Sequence, residues 1–443
     1  MIPISIPTGL WQSCGLFNNP LNNPPTYTMR IAILGAGLLG VASAYYLAKE
    51  GHEILVVDRQ SAPARETSFA NASLLTPNHS FSWASPNAPL VLLRSLWQAD
   101  AGLRLKPHMN AQLLDWGLRF LRNCTPGRHR ANSLAKTRLC LYSMAETEKV
   151  TRETGINWQR GTRGVLYLFR DRHELDVNDK DLAMLREVGA AIRPISWDDV
   201  VTLEPGLEHV RSKFVGAMHG TSDEVGDARR FTESLAEVCR INGVTFRLGT
   251  TIDGLEREGD RITALKTATG PIKADAFVLA AGSYSPQLAR QAGLHLPIYP
   301  VKGYSITAPV GDPDQAPRTG GLDEGTLVAF ARLGDRVRMT SVAEVGGYDT
   351  SYRPEDFTKI LATGRELFRD GIALDRAEYW ACLRPATPDG PPYIGPTPVR
   401  NLWLNTGHGY LGWTMCCGSA RLLVDQMAGR TPELDTHLYR YGR

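Results

Sequence analysis

A glycine-rich turn at residues 35–40 has the spacing G-x-G-x-x-G, which is typical of turns that bind the pyrophosphate of a dinucleotide. The turn reads GAGLLG and lies between a strand-like apolar run at 30–34 and a segment at 38–50 with helical spacing. In such a turn the glycines permit a tight bend, close approach of backbone N–H groups to the pyrophosphate, and close packing of helix on strand. The first turn of the helix would present its partial positive charge to the anion.

An acidic residue, Asp58, ends the next strand-like run at 53–58 and follows Gly35 by 23 residues. A carboxylate near this spacing accepts hydrogen bonds from a ribose 2′-hydroxyl and repels a 2′-phosphate. Strand, helix and acid together predict an adenine-dinucleotide site, and the alternative is a tight turn in an unrelated α/β domain. The residues predicted to hold the dinucleotide here are Ile33, Leu34, Gly35, Ala36, Gly37, Leu38, Leu39, Gly40, Asp58 and Arg59.

Two further glycine turns lie far along the chain. One follows the strand-like run at 272–280, and the other reads TGHGYLGWT at 406–414 and opens a helical segment. The first motif alone leaves open whether the dinucleotide is FAD or NAD. Three distant turns that converge on one ligand favour FAD, a long cofactor, over independent loop glycines. The residues predicted to contact it from these turns are Ala281, Gly282, Gly407, Gly409, Leu411, Gly412, Trp413 and Thr414.

The elements that must position these turns indicate a fold of the α/β class, and the chain as a whole is α+β. At about 100 to 200 residues per domain, 443 residues predict at least two compact units. Helical spacing is found at 90–155, 231–242, 354–370 and 413–427, and alternation between 298 and 345 predicts an antiparallel sheet. The predicted units are a Rossmann-type FAD-binding domain at 29–90, 200–296 and 381–443, an interleaved substrate domain with a mixed or antiparallel sheet at 91–199 and 297–380, and a loose N-terminal tail at 1–28.

Composition and charge exclude several classes of protein. The net charge is +3, which argues against nucleic-acid binding through a chain-wide basic field. Residues 91–140 nevertheless carry nine Lys or Arg against two acids and form a basic, mainly helical segment. The seven cysteines are scattered, which indicates neither a disulfide framework nor a zinc site and fits a reducing compartment. The tail lacks the charge pattern of a secretory signal, and we expect the structure to start at Met29.

Several blocks in order resemble one known group, the superfamily of glycine oxidase, sarcosine oxidase and D-amino acid oxidase. Within it, the chain is most similar to the small subunits of bacterial D-amino acid dehydrogenases. The blocks are ILGAGLLGVASAYYL (33–47), VVDR (56–59), ETSFANAS (66–73), DEVGDARRFTESLA (223–236), VLAAGSYS (278–285), PVKGYS (300–305), LRPATPDGPPYIG (383–395) and TGHGYLGWTMCCG (406–418). The resemblance implies bound FAD, hydride transfer from the substrate Cα to flavin N5, and hydrolysis of the imine to a 2-oxo acid and ammonia.

The resemblance also assigns roles to individual residues. It places Arg384 at the substrate carboxylate, for which a guanidinium offers a planar, bidentate fork; the alternative is a structural salt bridge to an acid such as Asp389. Tyr304 and Tyr348 are candidates for the pocket wall, although Tyr348 could equally be a core or surface residue. His408 lies in the block that supports the flavin and could instead be structural. The residues expected to run beside the flavin are Ser68, Asn71 and Ala72, which also fit an ordinary polar turn.

The implied partners follow from this activity. They are a D-amino acid as substrate and a quinone or other respiratory acceptor, with no nucleic acid and no metal. We expect a cytoplasmic protein. The basic segment at 91–140 fits a contact with the inner face of the cytoplasmic membrane, and the alternative is a solvated helix face with core packing on its other side. One alternative is an oxidase or dehydrogenase of sarcosine, glycine or hydroxyproline. Another, of a different class, is a non-catalytic FAD-binding subunit of an electron-transfer complex.

Overall fold

The computed structural model describes residues 28–95, 103–105 and 110–443. The predicted tail therefore lies outside the described residues, apart from its last position. The helices are α1 (Leu38–Lys49), α2 (Ala88–Ser95), α3 (Ala111–Asn123), α4 (Pro126–Thr154), α5 (Arg172–Arg186), α6 (Trp197–Leu203), α7 (Ala228–Ile241), α8 (Ser285–Gln291), α9 (Thr358–Phe368) and α10 (Gly412–Met427).

The strands extend over most of the described chain. They are β1 (Arg30–Leu34), β2 (Glu53–Val57), β3 (Leu74–Leu75), β4 (Leu103–Leu105), β5 (Val165–Phe169), β6 (Ile192–Ile195), β7 (Gly216–Gly220), β8 (Glu224–Val225), β9 (Thr245–Arg247), β10 (Gly254–Glu258), β11 (Arg261–Lys266), β12 (Ala276–Leu279), β13 (Tyr299–Pro309), β14 (Gly320–Asp323), β15 (Val328–Leu333), β16 (Arg336–Val345), β17 (Glu378–Ala386), β18 (Tyr393–Pro396) and β19 (Leu402–Thr406).

A mainly parallel sheet with the strand order β18-β19-β12-β1-β2-β9 carries the glycine turns. In β1, β2 and β12 apolar residues are buried on both faces, as expected where helices or loops cover both sides of a parallel sheet. One face packs on α1, α7 and α10, with α4 behind α10, and the other packs on the hairpin β10–β11 and on α8. Because the parallel strands β1, β12 and β19 are neighbours, the three turns that follow them meet at one edge.

A second sheet, largely antiparallel, has the order β17-β13-β16-β15-β14-β5-β7-β6, with β4 paired to the end of β16. Its outer face packs on α6 and α9 around a core that includes Phe330 and Phe357. Its other face lies towards the turns of the first sheet. The long strands β13 and β16 pair in antiparallel fashion, with an irregularity between Lys302 and Tyr304.

The elements predicted from periodicity are largely confirmed, including β1, α1, β2 and α10. Two differences concern the second sheet. A strand, β4, lies within the segment predicted to be helical, because its backbone pairs with β16. Strands β7 and β17 pair within the second sheet, although the predicted boundaries place β7 and most of β17 in the FAD-binding domain. Local sequence does not reveal which sheet supplies a strand's hydrogen-bonding partners.

Candidate cofactor and substrate site

A cavity of about 1060 Å³ lies between the two sheets and contacts all three glycine turns. Among the predicted site residues, those that line it are Leu34, Gly35, Gly37, Leu38, Leu39, Asp58, Arg59, Ser68, Asn71, Ala72, Ala281, Gly282, Tyr304, Arg384, Gly407, His408, Gly409, Leu411, Gly412 and Trp413. The predicted site residues that do not line the cavity are Ile33, Ala36, Gly40, Thr414 and Tyr348. The structure thus brings together residues that are nearly 400 positions apart in the sequence.

The first turn is shaped by its backbone. Gly35 has φ of +117°, and a Cβ there would lie 2.7 Å from the Ala280 carbonyl oxygen, so only glycine fits between β1 and β12. At the start of α1 the residue before the helix, Gly37, has no side chain to cap the free N–H groups. The Leu38 N–H donates to Ser68 Oγ at 3.1 Å. The end of α1 at the cavity therefore presents backbone donors and a positive potential.

The acid at the end of β2 lies where the sequence predicts it, in the cavity wall. Asp58 Oδ2 accepts from the Ala36 N–H at 2.6 Å, and Oδ1 accepts from the Gln60 N–H at 2.7 Å. Burial raises the pKa of this carboxyl, and the two backbone donors act in the opposite direction. Its neighbour Arg59 forms an ion pair with Glu66 at 2.5 Å. The carboxylate is therefore held in one orientation beside the first turn.

The third turn lies at the start of α10. Gly407 and Gly409 have φ of +83° and +56°, and α10 begins without a side-chain cap. Between them, His408 is buried, and its Nε2 lies 2.9 Å from Ser419 Oγ. Burial lowers the pKa of His408 to about 3, so the ring is neutral at physiological pH. Like α1, helix α10 starts at the cavity wall, and its N-cap residue provides no side-chain cap for the first N–H groups.

Arg384 lies on β17 in the cavity wall, and its side chain crosses over Gly303 of the neighbouring strand β13. A Cβ at Gly303 would overlap the guanidinium, with Nη1 only 2.6 Å away. Burial lowers the pKa of Arg384 to about 10, which leaves it charged at neutral pH. The alternative partner Asp389 instead pairs with Arg443, at 2.7 Å between Oδ2 and Nε. The geometry suits the binding of an anionic group in the cavity.

The two tyrosines are placed differently from each other. The backbone region of Tyr304 contributes to the cavity, but its hydroxyl donates to Glu344 Oε2 at 2.8 Å and its ring packs against Phe357 in the core behind the sheet. The hydroxyl of Tyr348 donates to the Ser283 carbonyl oxygen at 3.1 Å. The structure therefore does not bring either hydroxyl to the cavity. The pairing of β13 with β16 shifts register just before Tyr304, where β16 has one extra residue opposite Gly303.

The segment predicted to run beside the flavin also lies in the cavity wall. Asn71 Oδ1 accepts from the Ser73 N–H at 3.0 Å, so Asn71 forms a local polar turn in addition to lining the cavity. Cavity residues that sequence reasoning missed include Thr67, His79, Trp83, Trp380 and Tyr410. Thr67 donates to the Leu383 carbonyl oxygen at 2.8 Å, a contact across more than 300 residues that no local signal encodes.

The residues present fit an extended dinucleotide. Such a ligand requires a close backbone turn, an acid beside it and helices that begin at the site. The turn at Gly35 leaves no room for a Cβ, Asp58 lies next to it, and both α1 and α10 begin at the cavity without a side-chain cap. The cavity continues from this cradle past the second and third turns to Arg384. The site therefore combines a place for an adenine dinucleotide with a cation for a second, anionic ligand.

Known proteins resemble the chain over most of its length. Residues 30–426 match the family described as DAO, FAD dependent oxidoreductase. D-amino acid dehydrogenase 2 of Mesorhizobium japonicum is 44% identical over 415 residues, covering 94% of this chain and 100% of that protein. The D-amino acid dehydrogenase of Granulibacter bethesdensis is 44% identical, with 92% and 97% covered.

Solved structures with similar folds include glycine oxidase from Geobacillus kaustophilus, with a TM-score of 0.71 and 22% identity over 94% of this chain and 99% of that one. L-proline dehydrogenase from P. horikoshii has a TM-score of 0.70 and 17% identity over 93% of this chain and 96% of that one.

Proposed function

Because the chain belongs to the DAO family of FAD-dependent oxidoreductases, we propose that it oxidatively deaminates D-amino acids to 2-oxo acids and ammonia. The family confirms the fold class and the FAD that the three glycine turns predict. Relatives named D-amino acid dehydrogenase, similar over nearly their whole length, support the choice of substrate.

The observation that carries the proposal is the position of Arg384 in the wall of the cavity that also contacts the three glycine turns. A cation in this position binds the carboxylate of an amino acid and fixes its Cα beside the cofactor, whereas a subunit that only relays electrons has no use for it. When bound, FAD accepts the hydrogen of Cα together with two electrons. The start of α10 presents N–H groups that favour negative charge in the part of the cavity it lines.

The apolar residues of the cavity wall exclude water and contact the substrate side chain, whereas Arg384 binds the carboxylate. Leu322, Ala329, Ala343 and Val345 of the second sheet line the cavity and offer no polar group to the substrate side chain. They exclude water, which strengthens the attraction between Arg384 and a carboxylate. We infer that the side chain of the substrate lies against this apolar surface.

The test is anaerobic mixing of the FAD-loaded protein with D-amino acids, their L-enantiomers, sarcosine and hydroxyproline, followed by the loss of flavin absorbance. Bleaching by D-alanine or other D-amino acids, and not by L-alanine, is the expected result. Bleaching by secondary amines alone would contradict the proposed substrate and favour the sarcosine or hydroxyproline alternative. The absence of bleaching by every compound, with FAD bound, would favour the non-catalytic alternative.

We further infer that the electrons pass to a quinone and that the surface of α2 and α3 rests on the membrane. In the described part of the chain no helix is long and apolar enough to cross a bilayer. The support is an exposed apolar face, hereafter the α2–α3 face, whose members are each at least half exposed. They are Leu90, Val91, Leu93, Leu114, Leu118 and Leu121.

The other side of the same helices reaches the cavity. Ala88 and Leu92 of α2, and Trp116 and Phe120 of α3, line it, and Val91 of the α2–α3 face borders it as well. A lipophilic acceptor leaving a bilayer at the α2–α3 face would thus meet an apolar route to the cofactor. The exposed cations Arg122, near the end of α3, and Arg128, in the first turn of α4, favour anionic lipid. After D-alanine has bleached the flavin, we expect a quinone analogue to reoxidise it rapidly and oxygen to reoxidise it slowly.

A further inference from the structure

A threonine hydroxyl in the cavity wall has no hydrogen-bond partner in the described part of the chain. Thr340 lies on β16, lines the cavity and is 6% exposed. Its neighbour Met339 packs in the core behind the second sheet, so the alternation of the strand directs Thr340 to the cavity face. A buried hydroxyl that makes no hydrogen bond is unfavourable, because folding has removed it from water. A ligand in the cavity would supply the missing partner.

The neighbouring hydroxyl groups of β13 and β16 are not available to a ligand. Ser341 Oγ donates to the Leu327 carbonyl oxygen at 2.9 Å, and the hydroxyl of Tyr304 is turned into the core. Ser305, directly opposite Thr340, does not line the cavity. Its Oγ is buried without a hydrogen-bond partner, so the hydroxyls of Ser305 and Thr340 do not bond to each other.

The position of Thr340 relative to the Arg384 guanidinium follows from the strand register. The guanidinium lies over Gly303 of β13, and Ser305, two residues further along the same face, pairs with Thr340. Two residues along a strand and one spacing between strands separate the Cα atoms of Gly303 and Thr340 by about 8 Å. A carboxylate bonded to the guanidinium and an amine bonded to the hydroxyl, each at about 2.9 Å, span this separation.

The wall on the other side of the guanidinium is apolar. Val301 lies two residues before Gly303 and pairs with Val345 of β16. Both valines line the cavity, and they pack in one cluster with Trp116 and Phe120 of α3. The wall therefore has a cation in the middle, a hydroxyl on one side and an apolar surface on the other. This order matches the carboxylate, the amine and the side chain of an apolar amino acid.

We propose that Thr340 Oγ1 accepts a hydrogen bond from the substrate amino group while Arg384 binds the carboxylate, and that these two contacts select the enantiomer. The inference rests on the proposed function. With the amine on Thr340, the side chain lies towards Val301 and Val345, and the Cα hydrogen of one enantiomer is directed away from the sheet, into the cavity. The other enantiomer must interchange amine and side chain to direct its Cα hydrogen in the same way. Its amine would then lie against the valines.

A binding measurement without turnover tests the contact with the amine. When the FAD-loaded protein has been reduced anaerobically, its flavin accepts no hydride, so the binding of D-alanine is measured by calorimetry. Propionate, which has the carboxylate and the methyl group but no amine, is the matched ligand. We expect Thr340→Val to weaken the binding of D-alanine about tenfold and to leave that of propionate unchanged. An equal loss for both ligands, or no loss for D-alanine, would overturn the proposal.

Two further variants separate the hydroxyl from the shape of the side chain. Thr340→Ser keeps the hydroxyl and should bind D-alanine much as the wild type does. If it binds D-alanine as weakly as Thr340→Val, packing of the methyl group is responsible and the proposal fails. Thr245 is an exposed threonine on β9, outside the cavity wall, and Thr245→Val is the matched control that should change the binding of neither ligand.

The ratio of the Kd values of L-alanine and D-alanine, measured in the same way, tests the selection of the enantiomer. This ratio should be smaller in Thr340→Val than in the wild type, and an unchanged ratio would refute this part of the proposal. Failure here is distinguishable from failure of the proposed function. If Thr340 has no role, D-alanine still bleaches the oxidised wild-type flavin; if the function is wrong, no D-amino acid does.

Discussion

At the scale of single residues, the absence of a side chain at Gly303 is as important as the charge of Arg384. The guanidinium lies over the Gly303 Cα, and strand pairing places the two residues diagonally on β13 and β17. Any larger residue at 303 would move the cation that binds the carboxylate. The pocket for the substrate is therefore formed by two adjacent strands acting together.

We expect Gly303→Ala to raise the KM for D-alanine about tenfold or more, which corresponds to a loss of about 1.4 kcal/mol of binding. The added Cβ would overlap the Arg384 guanidinium and displace it. Steady-state kinetics with the FAD content measured in parallel would check this. Gly117→Ala, where an added Cβ meets nothing within 4 Å, is the control. An unchanged KM in a fully loaded Gly303→Ala protein would contradict the role of Arg384.

A buried lysine should make stability depend on pH. Lys136 of α4 is 2% exposed, and its Nζ lies 3.4 Å from the Tyr410 hydroxyl. Burial lowers its pKa to about 7, below the value in the unfolded chain. The folded state therefore binds the proton more weakly, and the cost of burying the charge grows as pH falls from about 10 to 7 and is constant below that.

We expect Lys136→Met to be more stable than the wild type at pH 6, by an amount that shrinks towards pH 10. The pH-dependent part is at most about 5 kcal/mol, from the difference between the folded and unfolded pKa values. Thermal or urea unfolding at several pH values would measure it. A stability difference that does not vary with pH would show that Lys136 is not titrated by folding in this way.

The residues that the sequence predicts best are those whose role is local. The glycine turn at 35–40 and Asp58 depend on neighbouring positions, and both line the predicted cofactor cavity. The position of the Tyr304 hydroxyl could not be predicted, because alternation along β13 places Tyr304 with Ile306 and Ala308 in the core behind the sheet, and the sequence does not show which face of a strand borders the cavity. His79 was not predicted to line the cavity, since nothing in its local sequence marks it and its neighbour Glu324 is brought close only by the second sheet.

At the scale of elements, α3 is apolar on two sides. Leu113, Trp116 and Phe120 pack on the second sheet, whereas Leu114, Leu118 and Leu121 are at least half exposed. A helix that only covers a core needs a single apolar stripe. The second stripe is not used in packing the described part of the chain, and the proposed membrane contact would cover it.

We expect the triple replacement of Leu114, Leu118 and Leu121 by Gln to abolish sedimentation with vesicles that contain anionic lipid. Bleaching by D-alanine should be unchanged, because the buried side of α3 remains intact. Reoxidation by a quinone embedded in vesicles should slow, whereas reoxidation by a water-soluble analogue should not. These comparisons separate membrane contact from catalysis.

A control replaces an exposed apolar residue elsewhere. Ile241, at the end of α7, is 70% exposed, and Ile241→Gln should leave vesicle binding unchanged. If the triple variant binds vesicles as well as the wild type does, the α2–α3 face is not the membrane contact. The sequence indicated this region through its basic charge, but the exposed leucines became apparent only when the packing of α3 was known.

At the scale of the whole molecule, the chain passes repeatedly between the two sheets. After β2 the chain runs along the cavity wall at residues 58–85 and then forms helices α2 to α4. It returns to the first sheet only at β9. Spacing and periodicity predict the two units and their interleaving. They do not predict which strands join which sheet, because pairing between distant strands depends on contacts that no short window contains. The discontinuous domain boundaries therefore remain a prediction.

This arrangement makes FAD a structural link between the sheets. The cavity is lined by residues of both, from Gly35 and Asp58 to Arg384 and Ala343, so a ligand that fills it contacts both units. A ligand that binds only the folded state stabilises it by about 2.7 kcal/mol when present at 100 times its Kd. The apoprotein should accordingly have a lower Tm than the FAD-loaded protein.

We expect hydrogen exchange to report this link in both sheets. Adding FAD to the apoprotein should protect β2 and β17 together, although they belong to different sheets. Asp58→Asn should raise the FAD concentration needed for half-maximal protection, because it removes a charge held beside the first turn. If FAD protects the first sheet and leaves β17 unchanged, the cofactor does not join the units, and the second sheet is held in place by direct packing alone.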